Sequence, residues 1–188
     1  MEARRAVGAI AANGEILAYI DSDNYLPHKR WLRKMAKPFI QHPDIVGAYT
    51  LRYAHRADDT LLNRYFALLG SADPVDYFLG KGERLSYVYD RYNRAGTVIA
   101  NHDTYRIVQF TTDTFPTLGA NGFLARKNIW MKNRLGIAKS VHVDVSYDLA
   151  LLGFRTYAIV NDTLIHDTAG QLLPYLKKRI RYILYFQT

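Results

Sequence analysis

Apolar positions along the chain change spacing in a way that predicts helices alternating with strands. Residues 2–12 read as a short helix that stops at Asn13-Gly14, a pair that favours the left-handed conformation used at helix ends. Residues 15–20 are apolar after Glu15 and too few for a typical helix, which predicts a buried central strand ending abruptly at Asp21-Ser22-Asp23-Asn24. Pro27 stands where a first helical turn tolerates proline, and the pattern over 28–40 puts Trp31, Met35 and Phe39 near one face. This predicts a helix packed on the sheet. A second strand is expected over 45–53 and a short helix over 61–70.

The stretch 71–114 mixes Asp73-Pro74, glycines and tyrosines without a sustained period, and reads as an insertion of irregular structure. A glycine-containing loop, Leu118-Gly119-Ala120-Asn121-Gly122, then runs into apolar Phe123-Leu124-Ala125, with a helix expected near 127–133. Residues 145–152 suit a helix ended by Gly153, and 156–160 suit a strand. The alternation argues for an α/β domain with a layered sheet and helices on both faces. No internal repeat or flexible linker is visible across residues 1–188, which read as a single domain.

Composition narrows the partners. Hydrophobic residues make up 49% and charged residues 22%, a globular balance that excludes a disordered or low-complexity chain. The net charge of +8 favours an anionic partner: a nucleotide diphosphate, an anionic lipid or a nucleic acid. The absence of cysteine excludes disulfides, thiolate metal sites and cysteine nucleophiles, and is compatible with a cytoplasmic location. Residues 1–13 do not read as a secretory signal, and no run of apolar residues is long enough to span a bilayer.

Asp21 and Asp23 follow directly on an apolar strand, where open α/β sheets place ligand sites, and their spacing directs two hard oxygen donors toward one point. Mg²⁺ or Mn²⁺ fits such a pair. A solvated turn, with Asp23 or Asn24 capping the next helix, uses the same residue types. At 142–153, Asp144 and Asp148 are the carboxylates available to a helix, and an ordinary helix N-terminus also takes Asp.

Taken in order, Gly14-Glu15-Ile16-Leu17-Ala18-Tyr19-Ile20-Asp21-Ser22-Asp23-Asn24 resembles the Asp-x-Asp segment of family 2 glycosyltransferases with the GT-A fold. The stretch 117–126 resembles that family's acceptor-side loop, 142–153 its catalytic-acid helix, and the segment ending in Ile165-His166 the strand and histidine that follow. The resemblance covers most of the chain, thinly across 71–114. It implies a partial GT-A layered sheet and an inverting transfer of a sugar from a nucleotide-diphosphate donor to an acceptor hydroxyl on a glycan or lipid. It also implies Asp21, Asp23 and His166 around the cation, Asn121 and Gly122 at the acceptor or sugar, and Asp144 as the base, with Asp148 the alternative. The family usually shows Glu-Asp where this chain reads His142-Val143-Asp144.

Residues 171–186 carry Lys177, Lys178, Arg179 and Arg181 among Leu, Ile, Tyr and Phe. Such a helix suits the inner face of an anionic membrane, or docks on the core with a solvated basic face. Arg179-Ile180-Arg181-Tyr182 loosely resembles the family's Gln-x-x-Arg-Trp motif, which implies a diphosphate contact for Arg181. Only about twenty residues precede Asp21, whereas the family places most of its nucleotide-base pocket in that portion. The resemblance therefore implies a donor-binding half supplied by an upstream portion or a partner chain. Two other classes are open: a non-catalytic remnant that binds phosphate-bearing ligands or a partner, and a nucleic-acid-binding domain. The 15 tyrosines and the charge suggest the last, but no basic-aromatic module signature accompanies them.

Overall fold

A computed structural model describes residues 2–88, 96–135, 141–167 and 170–186. The elements in chain order are α1 (Glu2–Ala11), β1 (Ile16–Tyr19), β2 (Asn24–Tyr25), α2 (Trp31–Gln41), β3 (Gly47–Ala54), α3 (Leu61–Leu69), α4 (Pro74–Phe78), β4 (Thr97–Asn101), β5 (Tyr105–Gln109), β6 (Phe123–Arg126), α5 (Lys127–Trp130), α6 (His142–Leu151), β7 (Thr156–His166) and α7 (Leu172–Phe186). The strands form a mixed, open seven-stranded sheet in the order β1-β6-β3-β7-β5-β4, with β2 paired to the far end of β7.

At its centre β3 and β7 run parallel, Gly47 opposite Tyr157 and Thr50 opposite Val160. Parallel strands are covered on both faces, so their sequences read as unbroken apolar runs. Alternation along β7 divides the core: Tyr157 and Ile159 pack with α5 and α6 through Trp130, Val145 and Leu149, and Ala9 of α1 joins them. Ala158, Val160 and Leu164 pack on the other face with Trp31, Met35 and Phe39 of α2. The fold is thus α/β with helices on both faces. Each fully buried large side chain contributes about 1.5–3 kcal/mol.

Local chemistry sets the helix ends. Thr60 caps α3 by accepting the Asn63 N–H at 3.3 Å, and Gly70 closes it at φ 78°. Asp73 caps α4 by accepting the Val75 N–H at 3.0 Å, with Pro74 in the first turn. Among the described residues no helix is long and apolar enough to cross a membrane.

Several elements differ from the sequence expectation. The 15–20 segment forms an edge strand, not a central one: among the described residues β1 pairs with β6 alone, and Ala18 and Ile20 are exposed while Leu17 is buried. The 71–114 stretch supplies α4 and the β4–β5 hairpin, and β5 pairs with β7 in the main sheet; residues 89–95 of it lie outside the described residues. Helix α2 begins at Trp31, so Pro27 lies in the preceding turn. Helix α5 is one turn long, and β7 continues past 160 to His166.

Leu149, fully buried between α6 and the sheet, tests this packing. Leu149→Ala is expected to lower unfolding free energy by about 2–5 kcal/mol in a urea titration, whereas Leu151→Ala, at a position 49% exposed, should change it by less than about 0.5 kcal/mol.

Candidate functional site

Strand direction gathers the site. β6 runs against both β1 and β3, and β3 runs with β7. The ends of β1 and β7 and the start of β6 therefore share one edge of the sheet. Asp21 and Asp23 follow β1, Asn121 and Gly122 precede β6, and His166 ends β7. Carboxyl ends of parallel strands are where open α/β sheets bind ligands.

The turn after β1 is closed by its own polar groups. The Asn24 N–H donates to the Asp21 carbonyl at 3.0 Å, the Asp21 N–H donates to Asn24 Oδ1 at 3.1 Å, and Asn24 Nδ2 donates to Asp23 Oδ1 at 3.2 Å. Asn24 also reaches Asn121 Oδ1 at 3.4 Å, tying the turn to the loop before β6. Pairing of β2 with β7 sets Asn24 opposite His166 and brings Asp23 Oδ2 within 3.5 Å of His166 Nε2. The His166 hydrogen bond holds the Asp23 carboxyl below its ordinary range against the opposing effect of partial burial; the charges of His166 and of Lys178 on α7 act in the same direction.

Asp21 is engaged differently. Arg5 of α1 grips both its carboxylate oxygens, at 2.5 and 2.6 Å, and donates with its other terminal nitrogen to His142 Nδ1 at 2.7 Å. One guanidinium thus joins the Asp-x-Asp turn to the start of α6. Asp23 and His166 stand at a separation that one cation can bridge, and Mg²⁺ or Mn²⁺ commonly takes one or two protein donors, completing its shell with phosphate oxygens and water. Among the described residues no group of three or more His, Asp or Glu side chains could hold a metal ion. Asp21, Asp23 and His166 are therefore not gathered as a three-donor set: Asp21 is engaged by Arg5, and Asp23 and His166 stand as a pair.

The loop before β6 is bent by necessity. Asn121 has φ 55° and Gly122 φ 73°, and a β-carbon on Gly122 would meet Leu164 Cδ2 at 2.9 Å. The Gly122 N–H donates to the Tyr19 carbonyl at 2.9 Å, so this residue supplies the bend while its amide is engaged by β1. Beneath the loop lies a buried polar network. Arg84 donates to the Asn121 carbonyl and to Thr50 Oγ1 at 2.9 Å, and its guanidinium stacks 4.0 Å over the Tyr53 ring. The Tyr53 hydroxyl donates to Glu83 at 2.5 Å; burial is the main reason its own proton is held far more tightly than usual.

Asp144 occupies the first turn of α6, exposed, where its Oδ2 accepts the Val141 N–H at 3.1 Å. Asp148 points elsewhere: it is buried and held by Arg134, whose backbone N–H and side chain donate to it at 2.7, 2.9 and 2.5 Å, keeping its carboxyl below the usual range. Asp148 thus anchors Arg134 against α6. Arg181 is exposed on α7.

Sequence reasoning missed Arg5, Glu83, Arg84 and Asp76. An arginine on the alanine-rich α1 was a usable signal for the first. The others fall in the aperiodic middle, where only tertiary contact reveals a partner. Comparison with protein-family models, with curated proteins and with solved structures finds no match.

Asp76 sits in α4 near Thr117, Glu83, Asp73 and Arg179. Burial, with Glu83 and Asp73 adding repulsion, pushes its carboxyl up to about 6. The native chain therefore keeps a proton that the unfolded chain releases near pH 4, so Asp76 destabilises the fold increasingly as pH rises from about 4 to 6. Asp76→Asn should raise Tm at pH 8 more than at pH 4; an equal change at both would contradict this assignment.

Proposed function

We propose that the chain is the catalytic part of an inverting glycosyltransferase that moves a sugar from a nucleotide-diphosphate donor to an acceptor hydroxyl. The observation that carries this reading is the convergence of four separate segments. Arg5 joins Asp21 to His142, Asn24 joins Asp23 to Asn121, and His166 faces Asp23. These are the segments whose sequence resembles the Asp-x-Asp turn, the acceptor loop, the catalytic helix and the closing histidine of family 2 enzymes.

In this reading Asp23 and His166 hold the Mg²⁺ or Mn²⁺, which when bound offsets charge growing on the departing diphosphate. Asp21, held by Arg5, orients the turn, and Arg181 of α7 offers a guanidinium to phosphate oxygens. The Asn121 side chain orients the acceptor. Asp144 takes the proton of the acceptor hydroxyl as its oxygen bonds to the anomeric carbon and the bond to diphosphate breaks on the opposite side, inverting the centre. The α6 N-terminus suits that role, because Asp144 is exposed two residues beyond His142, which Arg5 ties to the turn.

A second reading has one observation in its favour. Asp21 already carries an internal cation, Arg5, which suits a module that binds phosphate-bearing ligands without turnover.

Mn²⁺ titration by calorimetry in the presence of a nucleoside diphosphate separates the two. Transfer predicts Mn²⁺ binding that Asp23→Ala weakens by roughly tenfold or more at constant Tm, since a hard cation at a half-built site keeps mostly water. Nucleoside diphosphate binding that is indifferent to Mn²⁺ and to Asp23→Ala favours the non-catalytic module. In transfer assays of the protein as its gene encodes it, across nucleotide-diphosphate sugars, Asp144→Asn should lower turnover by roughly 10²–10⁴-fold with donor binding retained. Asp148→Asn should act mainly on stability.

A further inference from the structure

We propose that the face built by α3, α4 and α7 docks on an anionic lipid bilayer. Among the described residues, helix α7 is tied to the body through Tyr175 and Arg179. Tyr175 packs on Phe66 of α3 with ring centroids 5.1 Å apart, and Arg179 donates to the Tyr175 hydroxyl at 3.1 Å and pairs with Asp73 at the cap of α4. Away from those contacts the helix exposes Leu172, Leu173, Leu176 and Ile180, spaced to form a single stripe.

The helices it leans on also expose large apolar side chains. On α3, Leu61, Tyr65 and Leu68 recur at helical spacing and are exposed, Leu61 by 86%. On and just after α4, Val75, Phe78 and Leu79 are exposed by 59–75%. Large solvent-exposed apolar surfaces of this kind mark interaction sites.

Charge selects the occupant. The α7 segment contains no acidic residue, and Lys177 and Arg181 are exposed on the turns that carry the stripe. A second copy related by a two-fold axis would bring these like charges together. An anionic bilayer meets the apolar stripe with hydrocarbon and the basic flank with headgroups, the arrangement of a helix lying in the interface plane. At 15 residues, α7 suits that position. The docking stands independently of sugar transfer, yet it bears on the site: α7 begins six residues after His166, and its Lys178 acts electrostatically on Asp23.

The test is co-sedimentation of the full chain with vesicles of phosphatidylcholine alone and of phosphatidylcholine mixed with phosphatidylglycerol. Binding is expected to the mixed vesicles, to weaken with added salt, and to fall roughly thirtyfold for the double variant Lys177→Gln, Arg181→Gln. Leu173→Asn with Ile180→Asn should abolish it; because these side chains are exposed, an unchanged circular dichroism spectrum verifies the fold. Equal partitioning to both vesicle types, or no binding to either, overturns the proposal. So does a dimer on size-exclusion chromatography that Leu173→Asn with Ile180→Asn dissociates, in the absence of vesicle binding.

Discussion

The parallel pairing of β3 with β7 is the constraint on which the rest depends. Because both strands are buried on both faces, neither can slip by one residue without exchanging Tyr157 and Ile159 for Ala158 and Val160 across the sheet. That fixed register sets β6 antiparallel beside β3 and β1 beside β6, which decides that the residues after β1, before β6 and at the end of β7 meet at one edge. The meeting of Asp23, Asn121 and His166 is therefore a consequence of core packing. Trp31 links the two directly: buried under α2, it donates through Nε1 to the Thr163 carbonyl at 2.9 Å, three residues before His166.

What the sequence showed of this followed from how local each signal was. The Trp31, Met35, Phe39 spacing and the short helix over 61–70 depend on neighbours within a few residues, and they were legible. The position of β1 was not, since an apolar run is the same whether one or both edges are paired, and only the sheet order shows that β1 lies at the rim. The β4–β5 hairpin was hidden because its strands are short and carry mixed residues, with β5 gaining its place from β7. Of the candidate site, Asp21 and Asp23 drew attention by following an apolar strand, whereas Asn121, Gly122 and His166 came from the resemblance. The Arg5 contact with Asp21 and the Arg84 contact with Asn121 join residues well separated in sequence, so no spacing announces them.

Polar and apolar groups divide the labour around the sheet edge. The buried Tyr53–Glu83–Arg84 network supports the loop carrying Asn121 from below, where Arg84 donates to the carbonyl of this left-handed residue. Above it, Asp23 and His166 remain partly accessible, and Lys178 brings the basic helix α7 to the same place. In the proposed reading a diphosphate bound there would meet Lys178 and, one turn further along α7, Arg181.

The central claim is that turn, loop and strand end form one cation and diphosphate site. Paramagnetic broadening of amide resonances by Mn²⁺ with a nucleoside diphosphate tests it most directly. The account predicts that residues 21–24, 121–122 and 166 broaden together, with 177–178 affected and the β4–β5 hairpin spared. Broadening centred instead on the exposed His42–His102 pair, whose Nε2 atoms lie 3.2 Å apart on the other side of β7, with residues 21–24 and 166 unaffected, would contradict it.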